Sequence, residues 1–254
     1  MPTYKLTLEY EGTRYSGWQA QANTPKTIQG RLLRAATELL GDVEIVGAGR
    51  TDGGVHAAGQ VAHLRTRGSV DVRALNDLLP PDIHVLRAER MKDGFHARHD
   101  AGQRAYLYQI ATRRTAFAKP FVWWIKDPLD AAAMRHAARD AVGRHDFTAF
   151  ADRKLDADES RIVVVDGCDV AVAGSLILVR MTASHFLWKM VRKIVALLVE
   201  VGRGNEGTSA IKRRLDPAAE PFEPTAPPSG LFLEAVLYPG ETFRRPLEPL
   251  IPVP

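Results

Sequence analysis

Ile162 to Val172 and Leu176 to Ala183 are two β-prone runs separated only by Ala173-Gly174-Ser175, a spacing that predicts a long antiparallel hairpin. A hairpin of that length must lie in a sheet with one covered face, so it restricts the C-terminal half strongly. Ahead of it, Ala105 to Ala111 alternates and places Tyr106, Tyr108 and Ile110 on one face of another strand. Asp130 is suited to cap a helix over Ala131–Val142 that stops at Gly143. After the hairpin, Phe186 to Val201 is strongly apolar and reads as a helix ended by Gly202. The Pro-rich stretches beyond it, from Pro221 and again from Pro246, read as extended chain.

The N-terminal half has a similar order. Tyr4 to Tyr10 alternates as a strand and breaks at Glu11-Gly12. Thr27 can cap a helix whose apolar positions Ile28, Leu32, Ala36, Leu39 and Leu40 keep helical spacing until Gly41. Strands are predicted over Val43–Ala48 and Gln60–Arg65, and a short helix ends at Leu78-Leu79 before Pro80-Pro81. This half closes near Ala101-Gly102. The expected architecture is α+β, with antiparallel sheets flanked by helices in an N-terminal lobe, 1–102, and a C-terminal lobe, 103–254.

With 254 residues there is enough chain for one large domain or two smaller ones. Cys168 is the sole cysteine, which excludes an internal disulfide framework and a Cys-rich zinc site. No secretory signal is visible at the N-terminus. The longest apolar stretch, Val191–Val201, is interrupted by Arg192, Lys193 and Glu200, so no membrane span is expected. A reduced, cytoplasmic setting follows as the expectation. No Gly-rich phosphate loop follows a strand, so nucleotide cofactors find no support.

Charge is unevenly spread. Seven Lys/Arg face three acids between Arg87 and Arg114, and eight face two between Arg180 and Arg214, in a chain whose net charge is only +4. Two basic windows on an otherwise acidic chain suggest a polyanion-binding surface, although solvated helices and loops give the same count. Lys119, Arg113 and Arg114 are candidates for tracking phosphates.

The chemically distinctive segment is Gly47-Ala48-Gly49-Arg50-Thr51-Asp52-Gly53-Gly54-Val55-His56-Ala57, in which four glycines surround one carboxylate. Glycine permits tight turns and close approach of a ligand to backbone, so Asp52 can be presented into a cleft. The same pattern also fits a plain turn in which Asp52 bonds its own backbone. His56, His63, His96 and His99 invite a metal reading through His96-x-x-His99, but nothing in their spacing places them together. Tyr106 and Tyr108 would by default be cross-strand packing, Arg192 would snorkel from an apolar helix, and Trp123-Trp124 reads as packing.

Gly49–Ala57 resembles the catalytic motif of the tRNA pseudouridine synthase A family, with Gly53 where that family usually has Ala. Further matches occur in order: Glu9–Gly12, Tyr15–Gln19, Gly59–Val61, Phe95–Arg98, Arg104–Tyr108, Asp146–Phe150, Met190–Val195, Glu200–Gly202 and Thr225–Leu231. Trp188 and Lys189 stand where aromatic or His residues are common, and Ala196 replaces a frequent Gly.

The resemblance implies two related lobes with a catalytic RNA-binding cleft between them. It implies isomerisation of uridine to pseudouridine at positions 38, 39 and/or 40 of the tRNA anticodon stem-loop, with the base flipped out of its stem. Asp52 matches the catalytic aspartate, Arg192 the arginine that pairs with it, Tyr106 the tyrosine that stacks on the base, and Arg50 the arginine supporting the flipped nucleotide. An adjacent guanidinium orients a carboxylate and favours its charged form. The implied enzyme is a homodimer that needs no metal or cofactor. A single carboxylate argues against ordinary glycoside hydrolysis, which uses a pair. Two rivals are a non-catalytic RNA-binding module on the same scaffold and a metal-dependent hydrolase built from Asp52 and the histidines.

Overall fold

The computed structural model describes residues 1–152 and 160–254. They form two compact units, the first comprising Met1–Gly102 and Phe232–Phe243, the second Gln103–Leu231 and Arg244–Pro254.

The first unit opens with β1 (Thr3–Tyr10), whose alternate side chains Leu6 and Leu8 are fully buried. Helix α1 (Ile28–Leu40) has the predicted bounds. The Thr27 hydroxyl accepts from the Gly30 N–H, and Gly41, at φ 79°, donates its N–H to the Thr37 carbonyl. Its inward stripe, Ile28, Leu32, Ala35 and Ala36, is buried, and each of the two larger side chains contributes about 2 kcal/mol through burial. β2 (Glu44–Gly47) and β1 both pair antiparallel with β3 (His56–Arg65). Helix α2 (Val72–Leu78), capped by Asp71, leads into β4 (Ile83–Met91), which lies antiparallel on the other edge of β1. The strand Leu231–Leu237 adds to β3 in parallel, Phe232 opposite His56 and Leu233 opposite Ala57. That pairing draws Phe232–Phe243 into the first unit, although most of the C-terminal sequence folds elsewhere.

The second unit is built on β5 (Gln103–Ala111), which takes β6 (Trp123–Trp124) in parallel on one edge. Helix α3 (Ala131–Ala138) has Asp130 as its cap, as expected, but its last turn tightens to a 3₁₀ turn at Arg139–Ala141 before Gly143 at φ 117°. β7 (Gly143–Asp146) pairs with β8 (Ile162–Ala173). β8 and β9 (Leu176–Ala183) form the predicted hairpin around Gly174 at φ 58°, and β9 pairs with β5. Helix α4 (Met190–Gly202) is nearly all buried. It begins four residues later than its apolar pattern suggests, because Lys189 takes a left-handed conformation and the Trp188 carbonyl accepts from the Asp152 N–H. Helix α5 (Ala210–Arg214) follows, and Leu231–Leu237, β10, ends the series. Leu107, Leu176, Leu178, Val122 and Val253 are among the residues of one buried cluster under the hairpin's strands. The fold is thus α+β with mostly antiparallel pairing. Among the described residues no helix is long and apolar enough to cross a membrane.

Candidate active site

In the first unit, the loop between β2 and β3 carries Asp52. The chain turns at Asp52-Gly53-Gly54-Val55, where the Val55 N–H donates to the Asp52 carbonyl at 3.1 Å and Gly54 has φ 80°. The sequence reading of a tight turn is therefore right for the backbone, while the Asp52 side chain stands half-buried rather than enclosed. Arg50 is exposed two residues earlier.

This loop is fastened to the segment after β1 by main-chain contacts that tolerate no side chain. Trp18 N–H donates to the Thr51 carbonyl at 3.0 Å, and a Cβ on Gly17, whose φ is 92°, would stand 2.6 Å from that same oxygen. Gly12 abuts Val55 still more closely. Its N–H donates to Nδ1 of His56 at 3.0 Å, and the buried His56 ring stacks on Phe232 at 4.8 Å. The Tyr10 phenol meets the Thr51 hydroxyl at 2.7 Å, while Gln60 Nε2 donates to the Gly49 carbonyl at 3.0 Å. Burial pushes the Tyr10 phenol up to about 12, so it remains a neutral hydrogen-bonding group. Tyr10, Gly12, Gly17 and Gln60 are supporting residues that sequence reasoning assigns no role, and His56, a metal candidate in the sequence, is another. Their signal in the sequence is that Glu9–Gly12, Tyr15–Gln19 and Gly59–Val61 match the same family as the loop's own motif.

In the second unit, Arg192 lies in the first turn of α4, half-buried, with Nε donating to the Ala226 carbonyl at 2.7 Å. The Ala226 N–H returns a bond to the Arg192 carbonyl at 3.1 Å, so one residue of the Thr225–Leu231 segment grips both the backbone and the side chain of Arg192. Default snorkelling to solvent does not describe this arginine. The two tyrosines on one face of β5 differ in their surroundings. Tyr108 is buried, its hydroxyl donating to the Pro227 carbonyl at 2.7 Å, and burial raises its pKa well above the ordinary phenol value. Tyr106 is half-exposed and packs edge-to-face on Phe186 at 5.1 Å. Trp123-Trp124 is only half a packing pair. Trp123 meets Tyr108 edge-on at 6.3 Å, whereas Trp124 is exposed beneath the Arg114 guanidinium at 5.8 Å.

Two cations of the basic windows do not reach the surface. Arg180 is buried and donates to the Arg245 and Pro246 carbonyls, and buried Lys193 donates to the Ala151 carbonyl. Arg113, Arg114 and Lys119 are exposed.

The histidines depart from expectation. His63, His96 and His99 do come together, with ring centroids 4.7 and 4.1 Å apart, because β3 and the Phe95–Asp100 turn meet. Among the described residues no group of three or more His, Cys, Asp or Glu could hold a metal ion. His63 instead latches the turn, its Nδ1 accepting from the Ala97 N–H at 3.1 Å. Burial, then the charges of His96 and Arg65, push His63 down to about 4. An unfolded histidine takes up its proton near 6.5, so between about 6.5 and 4 the unfolded chain binds more protons than the folded one. Stability contributed by neutral His63 is complete above that window and falls as pH drops through it. The expected result is a melting temperature that declines more steeply from pH 7 to 4.5 in the parent protein than in a His63→Gln variant; equal slopes would refute this.

Comparison with known proteins follows the same residues. The model of a family described as tRNA pseudouridine synthase matches residues 7–100 and 137–239. A protein of Maricaulis maris named tRNA pseudouridine synthase A is 43% identical over 249 residues, 94% of this chain and 99% of that one. Proteins of the same name from Xanthobacter autotrophicus and Allorhizobium ampelinum are 43% and 42% identical, over 94% and 97% of this chain and 100% and 98% of theirs.

Proposed function

Because the chain belongs to the tRNA pseudouridine synthase family, we propose that it isomerises uridine to pseudouridine at positions 38, 39 and/or 40 of the anticodon stem-loop, with Asp52 as the catalytic carboxylate. The reaction breaks the C1′–N1 bond and joins C1′ to C5. N1 gains a proton and C5 loses one, so no atom is added and no oxidant or water is consumed. A carboxylate acting at the sugar meets that need, as nucleophile or as base.

The observation that carries the proposal is the treatment of Asp52. Its backbone is tied into a hydrogen-bonded turn, and the residue itself is half-buried on a loop braced by glycines and buried hydrogen bonds. Rigid presentation of one ionisable group is what catalysis requires and what a turn alone does not. The family resemblance gives Arg192 the role of the carboxylate's partner, and the bond from its Nε to the Ala226 carbonyl, which fixes the guanidinium's orientation, supports that role. Tyr106 stacks on the flipped uracil and helps remove the C5 proton; of the two tyrosines it is the one that is not fully buried. Exposed Arg50 supports the extruded nucleotide. The non-catalytic RNA-binding reading leaves the bracing of Asp52 without a purpose.

The test is incubation of the purified protein with an unmodified tRNA transcript carrying uridines at 38 to 40, with a chelator present, followed by pseudouridine mapping. Conversion at one or more of these positions is expected. No conversion at any of them would overturn the proposal, and release of free uracil that appears only with added metal would favour the metal-dependent hydrolase instead.

A further inference from the structure

Lys189 is the one non-glycine residue with a positive φ among the described residues, at φ 62° and ψ 2°. A side chain in the left-handed region is disfavoured by contact of its Cβ with the backbone, and such a conformation persists only where the surroundings impose it. Here they do so at several points. Lys189 Nζ lies 2.7 Å from Asp152 Oδ2 and 4.7 Å above the Trp188 ring. The Asp152 N–H donates to the Trp188 carbonyl at 3.2 Å. One turn further on, buried Lys193 donates from Nζ to the Ala151 carbonyl at 3.0 Å, and its N–H bonds the Lys189 carbonyl at 3.0 Å to open α4. Arg192 is the third residue after Lys189.

We propose that Asp152 and Lys189 are positioning residues for the isomerisation. Their ion pair holds the left-handed turn that sets where the first turn of α4 begins, and with it the direction in which Arg192 is presented. The inference rests on the role given to Arg192 above. Neither charged group of the pair is fully solvated, with side-chain exposures of 31% and 20%, so their attraction is less screened than that of an exposed pair. An alternative purpose, bulk stability, is served by α4's buried apolar residues without it.

The test uses the full chain and a tRNA transcript, measuring kcat and KM separately together with the melting temperature and amide hydrogen exchange at Lys193. Asp152→Ala should lower kcat roughly tenfold, with KM changed less than about twofold, and should speed exchange at the Lys193 amide. Adding Lys189→Gly to it should recover most of the lost kcat, because glycine occupies φ 62° without help. Adding Lys189→Ala instead should recover none. A parental kcat in Asp152→Ala, or equal behaviour of the glycine and alanine double variants, would overturn the positioning role. A parent enzyme that makes no pseudouridine would instead sink the functional reading itself, and the exchange measurement would still report whether the ion pair holds the turn.

Discussion

Asp52→Ala should abolish pseudouridine formation, lowering turnover by about 10⁴-fold or more, while the protein stays folded and still binds tRNA. The argument for intact folding lies in which atoms hold the loop. The Asp52 carbonyl, which alanine retains, accepts from Val55; the Thr51 carbonyl accepts from Trp18; and Gln60 holds the Gly49 carbonyl. None of these uses the carboxylate. Tyr10, Thr51 and His56 lie on the buried side of the loop and are likewise untouched. Turnover is read by tritium release from C5-labelled uridine in tRNA, and binding by retention of labelled tRNA on a filter. Residual turnover within a hundredfold of the parent would remove Asp52 from its role, and loss of tRNA binding alongside turnover would leave the carboxylate a structural one. Asp52→Asn, which keeps the shape and loses the charge, should fall as far as alanine if the negative oxygen is the working group.

How far the sequence reaches into this fold depends on the kind of signal each element carries. Helix α1 was legible to the residue because its ends are chemical, with the Thr27 hydroxyl at one and a positive-φ glycine at the other. The β8–β9 hairpin was legible because its turn is short and a β-prone run lies on each side of it. Strand β4 was not, since its charged residues Arg87, Glu89 and Arg90 leave no clean apolar alternation on an edge strand. The start of α4 was misjudged because apolar periodicity records burial, and Phe186 and Leu187 are partly or fully buried without being helical. No local pattern announces that β10 returns to pair with β3, since register between positions far apart in the chain is a tertiary fact. The meeting of His63, His96 and His99 was hidden for the same reason. At the candidate site, the glycines around Asp52 were a readable sign of close backbone packing. Which tyrosine of β5 stays accessible was not. Gly230 settles it, because its backbone lies so near the Tyr108 ring that an added Cβ would stand 2.6 Å from it, and this contact between positions 108 and 230 leaves no trace in either segment alone.

The support beneath Asp52 can be tested apart from its chemistry through Gly12→Ala. A Cβ there would lie 2.0 Å from the Val55 carbonyl oxygen and 2.6 Å from its carbon, and both are backbone atoms that cannot rotate away as a side-chain tip can. Relief requires moving either the segment after β1 or the loop. The first is held by the Gly12 N–H to His56 and by the Tyr15 N–H to the Gly12 carbonyl; the second by Val55 to Asp52. Overpacking of this kind costs about 3 kcal/mol, which for a chain of this size lowers the melting temperature by roughly 6–12 °C. Gly41→Ala provides the contrast. Gly41 has φ 79° and ψ −127° but nothing within 4 Å of an added Cβ, so it should cost only a backbone penalty of about 1–3 kcal/mol and leave activity intact. Since displacing Val55 displaces the turn that carries Asp52, Gly12→Ala should also lose at least about tenfold in turnover at temperatures where it remains folded, with tRNA affinity largely kept. A Gly12→Ala protein that melts within 2 °C of the parent, or that turns over at the parental rate, would show that the loop is not braced by this contact and that Asp52 owes its placement to something else.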